Sequence, residues 1–521
     1  MKIRGTDAPV QSASRGRHGR SRAETAARFL STGQKALGLT LVGLVVLGLV
    51  LVPRVTAMLL VGFCVFFYVL IAGLRIVIMF AGRTYRHPRR MTVRPEDPGL
   101  PHYAVLLPVH KEANMLRHLV TRISRLEYPR RRLHVLLLIE QDDEETLAAA
   151  RAIGLAFDTD PGFDASAAAR SEHPLAHVTV VVIPPGGPKT KPNAMNVAMR
   201  RVIEAGCEVL TIFDAEDRPD PDQLLKAIGV FRLAPPATAC LQAELAFWND
   251  DTNWVSALYW IAYKIHFLRF LPGLARLGLP IPLGGTSNHF KVSALRDAAL
   301  PDGSVWDAHN LTEDADLGAR LMAAGYRIEL LNSVTLEEAP VSSRVVDKQQ
   351  RRWKGGYIQT GLVHTRHPAE AIRRMGLARW FCFNLLMLGT PLSFMINPVF
   401  YLLTLAYFVT RTHVIAELFP TAIYYPALAL LVLGNFVLVY ELAMTCLEEA
   451  NSTRGRYSLL WYMMLAPLMW LWMSRSTYIA FWELLIGKRG WHKTPHGHAL
   501  DETEVDDGLF AAIPAPTGEI A

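Results

Sequence analysis

Residues 207–221 read "CEVLTIFDAEDRPDP": a short apolar run from Val209 to Phe213 breaks off into three carboxylates, Asp214, Glu216 and Asp217. A run of that length and branching is a buried strand, so the acids stand in the turn at its end. The same rhythm recurs upstream. "YAVLLPV" (Tyr103–Val109), "LHVLLLIE" (Leu133–Glu140) and "VTVVVIP" (Val178–Pro184) each precede an amphipathic segment. Helices are expected after Lys111, after Glu144, from Asn193 and, behind the acidic turn, from Asp222. Continuous apolar strands alternating with helices predict a parallel sheet covered on both faces, a doubly wound α/β domain over roughly 100–370.

The flanks of that domain have another character. The chain has 521 residues, 51% of them hydrophobic, and the apolar ones are concentrated at two places. Ala36–Val52 and Val55–Ala81, broken by Pro53 and Arg54, each approach or exceed the roughly 20 residues that cross a bilayer and predict a helical hairpin over 35–82. A second belt, 376–487, predicts further membrane or interfacial helices, interrupted at Pro391, Pro398 and Arg475. Basic clusters lie on both outer sides of the hairpin, "SRGRHGRSR" before it and "RTYRHPRR" after it. By the positive-inside rule both flanks, and the domain between the belts, are cytoplasmic. The net charge of +7 then reflects topology and contact with anionic lipid, and no nucleic-acid-binding module is visible. Residues 1–34 and the tail 488–521 lack apolar periodicity; the first is expected to be disordered and the second to be a cytosolic tail. Five cysteines without metal-type spacing argue against zinc and disulfides.

Ligands bind doubly wound sheets beyond the carboxyl ends of the strands. Here those ends carry "PVHKE", "IEQDDEET", "PPGGPKTKPN" and "FDAEDRPDP", with no GxGxxG and no Walker sequence, which sets aside dinucleotide oxidoreductases and P-loop enzymes. A carboxylate-bound magnesium or manganese ion holding phosphates remains, with Asp214 and Glu216 as ligands. A solvated turn whose acids start the next helix would read the same. Lys189 and Lys191, before a helix N-terminus, suit a diphosphate or an ordinary loop. One of Glu140, Asp142 and Asp143 suits a hydrogen bond to a base or ribose, though a charge run of this kind also reads as a solvated face. In "NLTEDADLGARLMAAGY", Thr312 reads as an N-cap, with Glu313 and Asp314 in the first turn. "DKQQRRWKGGYIQT", Asp347–Thr360, is a basic segment ahead of the second apolar belt.

Taken in order, "DAED", the "TED" of Thr312–Asp314, and a Q-x-x-R-W at Gln349, Arg352 and Trp353 resemble the membrane-integrated family 2 glycosyltransferases, the cellulose, hyaluronan and chitin synthase group. "KPNAMNVAM", with Lys191 and Asn196, "GGTSNHF" (Gly284–Phe290) and "WHKTPHG" (Trp491–Gly497) add to the likeness, the last as an ending found in many bacterial members. Two features depart from the family pattern. The metal motif ends in Glu216 rather than Asp, and the nucleotide-binding acids sit in "EQDDEET" rather than Asp-Asp-Gly.

The resemblance implies a GT-A fold, Rossmann-like, inserted between membrane helices, and inverting hexosyl transfer from a nucleotide sugar, usually a UDP-sugar. Asp214 and Glu216 would hold Mg2+ or Mn2+. Asp314, with Glu313 and Thr312, would supply the general base, and Arg352 would neutralise the leaving diphosphate. Trp353 and Gln349 would receive the acceptor, and Glu140, Asp142, Asp143, Lys191 and Asn196 would line the donor side. A processive synthase in a bacterial inner membrane, extending and exporting a β-linked glycan, is the expected protein. Transfer to a glycolipid or other lipid acceptor, and a catalytically silent receptor or scaffold, are the alternatives.

Overall fold

The computed structural model describes residues 25–160, 177–430 and 466–487, together with 175, 440, 443, 444, 447, 505, 506 and 509. The segment 1–24, much of the belt between 431 and 465, and nearly all of the tail, including Trp491–Gly497, lie outside the described residues. The apolar runs form strands where the sequence places them: β1 (Tyr103–Val109), β2 (Leu133–Glu140), β3 (Ala156–Phe157), β4 (Val178–Ile183) and β5 (Val209–Ile212). After them come β6 (Arg218–Pro219), β7 (Thr238–Phe247), β8 (Asn288–Lys291) and β9 (Arg327–Glu337). One nine-stranded sheet results, in the order β3-β4-β2-β1-β5-β8-β7-β9-β6.

The first half is parallel, β1 lying between β2 and β5 with all three in the same direction. The expectation of a parallel sheet fails beyond β5. There β8 inserts antiparallel to both β5 and β7, so the sheet is mixed. β8 reads "NHFK" and lacks the apolar run that marks a strand; it is held because Asn288 and His289 are satisfied inside the protein. His289 meets the Tyr103 hydroxyl at 2.6 Å and Gln223 Oε1 at 3.2 Å. Helices cover both faces, and each face carries its own apolar core, one including Leu106, Met195 and Leu317, the other Val105, Leu119 and Leu224.

The hairpin forms as helices Thr32–Leu51 and Pro53–Gly82, divided at Pro53 as expected. Ser31 caps the first with a reciprocal Gln34 contact. The second packs on the helix Leu271–Leu277 through two glycines. A Cβ at Gly82 would lie 2.0 Å from the Arg269 carbonyl, and one at Gly273 1.9 Å from that of Ile78, so a larger residue at either position would push the helices apart. These two hairpin helices and Gly389–Thr410 are long and apolar enough to cross a membrane. Their outer faces expose Leu39, Val50, Leu402 and Val409, a surface that suits lipid rather than water. Helix Ser343–His364 packs on Gly389–Thr410 and Ala466–Leu485 on one side and on helix Glu313–Ala323 on another.

Candidate active site

The parallel strands β1, β2, β4 and β5 end on one side, and the turns beyond them open into a cavity of about 1710 Å³. At the end of β5 the acidic turn is pinned from below. Asp217, fully buried, accepts from the Asp214 backbone N–H at 2.7 Å and from the Thr286 hydroxyl. That closes the turn, and Asp214 and Glu216 line the cavity. In the sequence Asp217 looks like the third acid of a solvated turn; Thr286 reaches it from 69 positions away, which no local pattern reveals.

The "TED" segment faces the same space. Thr312 occupies the N-cap position of helix Glu313–Ala323, yet its side chain makes no capping hydrogen bond. Its hydroxyl lies 3.1 Å from that of Thr360 instead, and its N–H donates to Asn310 Oδ1 at 3.0 Å. The reason is close packing. A Cβ at Gly356 would sit 2.5–2.8 Å from three Thr312 atoms, so only glycine lets Ser343–His364 approach this helix start. Asp314 Oδ1 accepts from the Ala315 N–H at 2.7 Å. Asp314 Oδ2 and Lys191 Nζ approach the same point, 3.5 and 3.7 Å from where a Gly285 Cβ would stand.

Lys191 is the first residue of helix Lys191–Glu204, with Pro192 in the first turn. Its ammonium pairs with Asp214 and donates to the Gly285 carbonyl at 2.8 Å. It therefore ties the Asp214 turn to the Gly284–Thr286 loop rather than projecting free for a diphosphate. Gln349, Arg352 and Trp353 also line the cavity, on the Ser343–His364 helix. Gln349 Oε1 is buried without a hydrogen-bond partner among the described residues.

The structure separates the acids of "EQDDEET". Glu140, the last residue of β2, faces the cavity. Asp142 points outward and pairs with Lys189, while Asp143 is 4% exposed and caps helix Glu144–Ala152 through the Thr146 N–H. Neither lines the cavity. Asn196 is likewise occupied elsewhere. Its Nδ2 donates to the Trp306 carbonyl at 2.7 Å, and its Oδ1 accepts from Val305 and Trp306 at 2.9 and 3.0 Å. It clamps the loop ahead of the "TED" rather than lining the donor side. Two cavity residues escape a reading of the sequence: Glu112, just past β1, and Glu337, at the end of β9. Glu112 lies within the strand-end stretch "PVHKE" and could have been found there, whereas Glu337 requires knowing that β9 joins the sheet.

Electrostatically the mouth holds more acid than base. Burial, then Asp214 and Glu112, raise the Glu216 carboxyl; burial, then Asp214 and Glu216, raise Asp217; burial, then Asp217, raise Glu337. Glu313 is raised by burial and by Asp314, and Asp314 by burial against the pull of Lys191 and Arg352. Among the described residues no group of three or more His, Cys, Asp or Glu side chains is spaced as a metal cage. The crowded carboxylates fit instead a hard cation that takes two protein oxygens and completes its shell with water and substrate phosphate.

Residues 209–487, more than half of the chain, match the family model described as Glycosyl transferase family group 2. The chain is 23% identical over 295 residues to probable glucomannan 4-beta-mannosyltransferase 15 of Arabidopsis thaliana, covering 56% of this chain and 51% of that one. It is 26% identical over 187 residues to Arabidopsis glucomannan 4-beta-mannosyltransferase 7, covering 36% and 30%. The chain thus spans about half or less of these relatives. Among solved structures, a mannosyltransferase from Pyrobaculum calidifontis, in complex with GDP-Man and Mn2+, shares the fold. The TM-score is 0.51 at 16% identity, over 82% of this chain and 99% of the other.

Proposed function

Because the chain belongs to glycosyl transferase family group 2, we propose that it is a membrane-bound inverting hexosyltransferase that extends a β-linked polysaccharide from a nucleotide sugar and passes the product into its own membrane helices. The observation that carries this reading is the continuity of the cavity. The same space that touches Asp214, Glu216, Asp314 and Arg352 is lined further on by Trp353, Ser393, Asn397 and Tyr407, on the Ser343–His364 helix and the Gly389–Thr410 span.

Asp214 and Glu216 would hold the Mg2+ or Mn2+ ion, which when bound supplies positive charge to the donor's diphosphate. Asp314 accepts the proton of the attacking hydroxyl. Its carboxyl, raised by burial, is still ionised at neutral pH and more basic than an ordinary aspartate, as a general base should be. Arg352, within electrostatic reach of Glu313 and Asp314, offers a guanidinium fork to phosphate oxygens. Trp353 presents a ring to the acceptor sugar.

The relatives named as mannosyltransferases, together with the GDP-Man complex of the Pyrobaculum enzyme, move the donor preference from a UDP-sugar toward GDP-mannose. Those relatives are plant proteins, so nothing in them favours a bacterial inner membrane over another. The cytoplasmic placement of the sheet domain rests on the basic flanks. The test is product analysis: membranes holding the full chain are incubated with labelled GDP-mannose, and in parallel with UDP-sugars. A high-molecular-weight product cleaved by a β-mannan hydrolase is expected; a single-sugar glycolipid, or no incorporation from any donor, would overturn the reading.

A further inference from the structure

Past the catalytic acids the cavity meets two cations with no acid to balance them among the described residues. Arg75 comes from the Pro53–Gly82 span and Lys354 from the Ser343–His364 helix, and both line the cavity. Lys354 is 7% exposed. Its ammonium rests against rings, 4.6 Å from the centroid of Phe394 and 5.8 Å from that of Tyr357. Among the described residues it has neither a carboxylate partner nor a hydrogen bond. Arg75 donates from Nη2 to Thr390 Oγ1 at 2.8 Å, but its Nε is buried without a partner, and no carboxylate among the described residues pairs with it. Burial, and then the neighbouring Arg75, lower the Lys354 pKa to about 7. Tyr357 lies within electrostatic reach of both Asp314 and Arg75, and all three line the same cavity as Lys354.

A buried cation without a counter-charge is expensive to keep. Here two share one space, contributed by two helices distant in sequence. We infer that Arg75 and Lys354 form a phosphate-binding subsite for a lipid phosphate, the headgroup between the two cations and the tail along the membrane half of the cavity. Depth favours a headgroup: Arg75 is seven residues before the end of its span at Gly82, roughly 10 Å along the axis, near the boundary between headgroups and hydrocarbon. The walls beyond it include Phe400, Phe419 and Leu428, which suit an alkyl or isoprenoid chain better than an acidic sugar. The inference rests on the reading of the Asp314 side as the acceptor side, and it names the primer on which the polysaccharide starts as an anionic amphiphile.

The test uses the full chain in a nonionic detergent, titrated with decyl phosphate, decanol, inorganic phosphate and an oligogalacturonide, with tryptophan fluorescence as the readout. Decyl phosphate should bind at least about tenfold more tightly than decanol, the worth of charge-assisted hydrogen bonds to a buried anion. That preference should vanish in Lys354→Gln and Arg75→Gln and survive in Lys354→Arg. GDP binding, unchanged in all three, reports that the donor end is folded. If a Gln variant fails to fold, the Lys354→Arg result and the wild-type preference still decide. Equal binding of decyl phosphate and decanol would overturn the inference. So would an inorganic phosphate affinity matching decyl phosphate, which marks a free-anion site, or preferential binding of the oligogalacturonide, which marks an acidic glycan. Decyl phosphate binding by a chain that makes no polymer from any donor would instead count against the proposed function and leave the subsite standing.

Discussion

Asp314 and Asp316 stand two residues apart on one helix and meet opposite surroundings. Asp314 turns to the cavity, where burial raises its carboxyl and the nearest cations are shared with Asp214 and Glu313. Asp316 turns to the back of the helix and is 2% exposed. Burial pushes its carboxyl up, but Arg320 and His364 more than offset this and hold it well below the usual range. Arg320 Nε donates to it at 2.8 Å, and His364 Nε2 lies 2.9 Å away. Arg320 also reaches the Ala298 and Val305 carbonyls, so Asp316 anchors the loop ahead of the "TED" and, through His364, the end of helix Ser343–His364. The contrast teaches that "TEDAD" contains one carboxylate kept poised and one committed to architecture. A full complement of partners removes the second from chemistry.

The largest effect should come from the cation that the cavity side invites. If the excess carboxylate at Asp214 and Glu216 is there for a metal, EDTA should abolish transfer and Mg2+ or Mn2+ restore it, while Asp214→Ala stays inactive at any metal concentration. Full turnover in EDTA would break the contrast at its cavity end.

Next in size is the proposed base. Asp314→Asn keeps the volume and an amide oxygen for the Ala315 N–H, so donor affinity should hold while transfer falls by roughly 10²-fold or more. Calorimetry of nucleotide binding beside product formation separates the two, and retained turnover would place the base elsewhere. Asp316→Asn should do the reverse. Leaving Arg320 and His364 without their shared anion is expected to cost about 3 kcal/mol of stability, read as a lower melting temperature, with the specific activity of the folded fraction within a few-fold of wild type. A large activity loss without destabilisation would give Asp316 a chemical role.

The smallest effect sharpens the comparison by sign. A depressed folded pKa means the Asp316 contribution is present above the unfolded value of about 3.9 and is lost as pH falls below it toward the folded value. For Asp314, whose folded pKa is raised, the stability cost appears as pH rises through that same unfolded value and is complete above the folded one. Asp314→Asn should therefore melt slightly higher than wild type at pH 7 and no differently near pH 3, whereas the Asp316→Asn deficit should shrink on going from pH 7 to pH 3. Melting curves at the two pH values check both signs; parallel shifts in both variants would erase the distinction.

Much of this molecule is legible in the chain because it is written locally. Apolar runs of strand length, the break at Pro53, and turns opening in acid are properties of neighbouring residues. They suffice to locate β1, β2, β4, β5, the hairpin and the acidic turn of Asp214 and Glu216 from the sequence by itself, whereas Asp314, read locally, is a first-turn helix residue and is singled out only by the order of motifs. What only the tertiary structure decided depends on partners far apart in sequence. Asp217 becomes a buried pin because Thr286 meets it, and Asn196 becomes a loop clamp because Trp306 folds back onto it. The polar "NHFK" becomes β8 because Tyr103 and Gln223 satisfy His289. Glu140, Asp142 and Asp143 share one short run and the same chemistry, yet one faces the cavity, one pairs outward with Lys189 and one caps a helix. Arg75 and Lys354 meet only because two helices, 279 positions apart at those residues, close on one space. The ionisable group of a side chain is fixed by its type, but whether its charge is answered is a matter of contact, and contact at such separations is decided by packing.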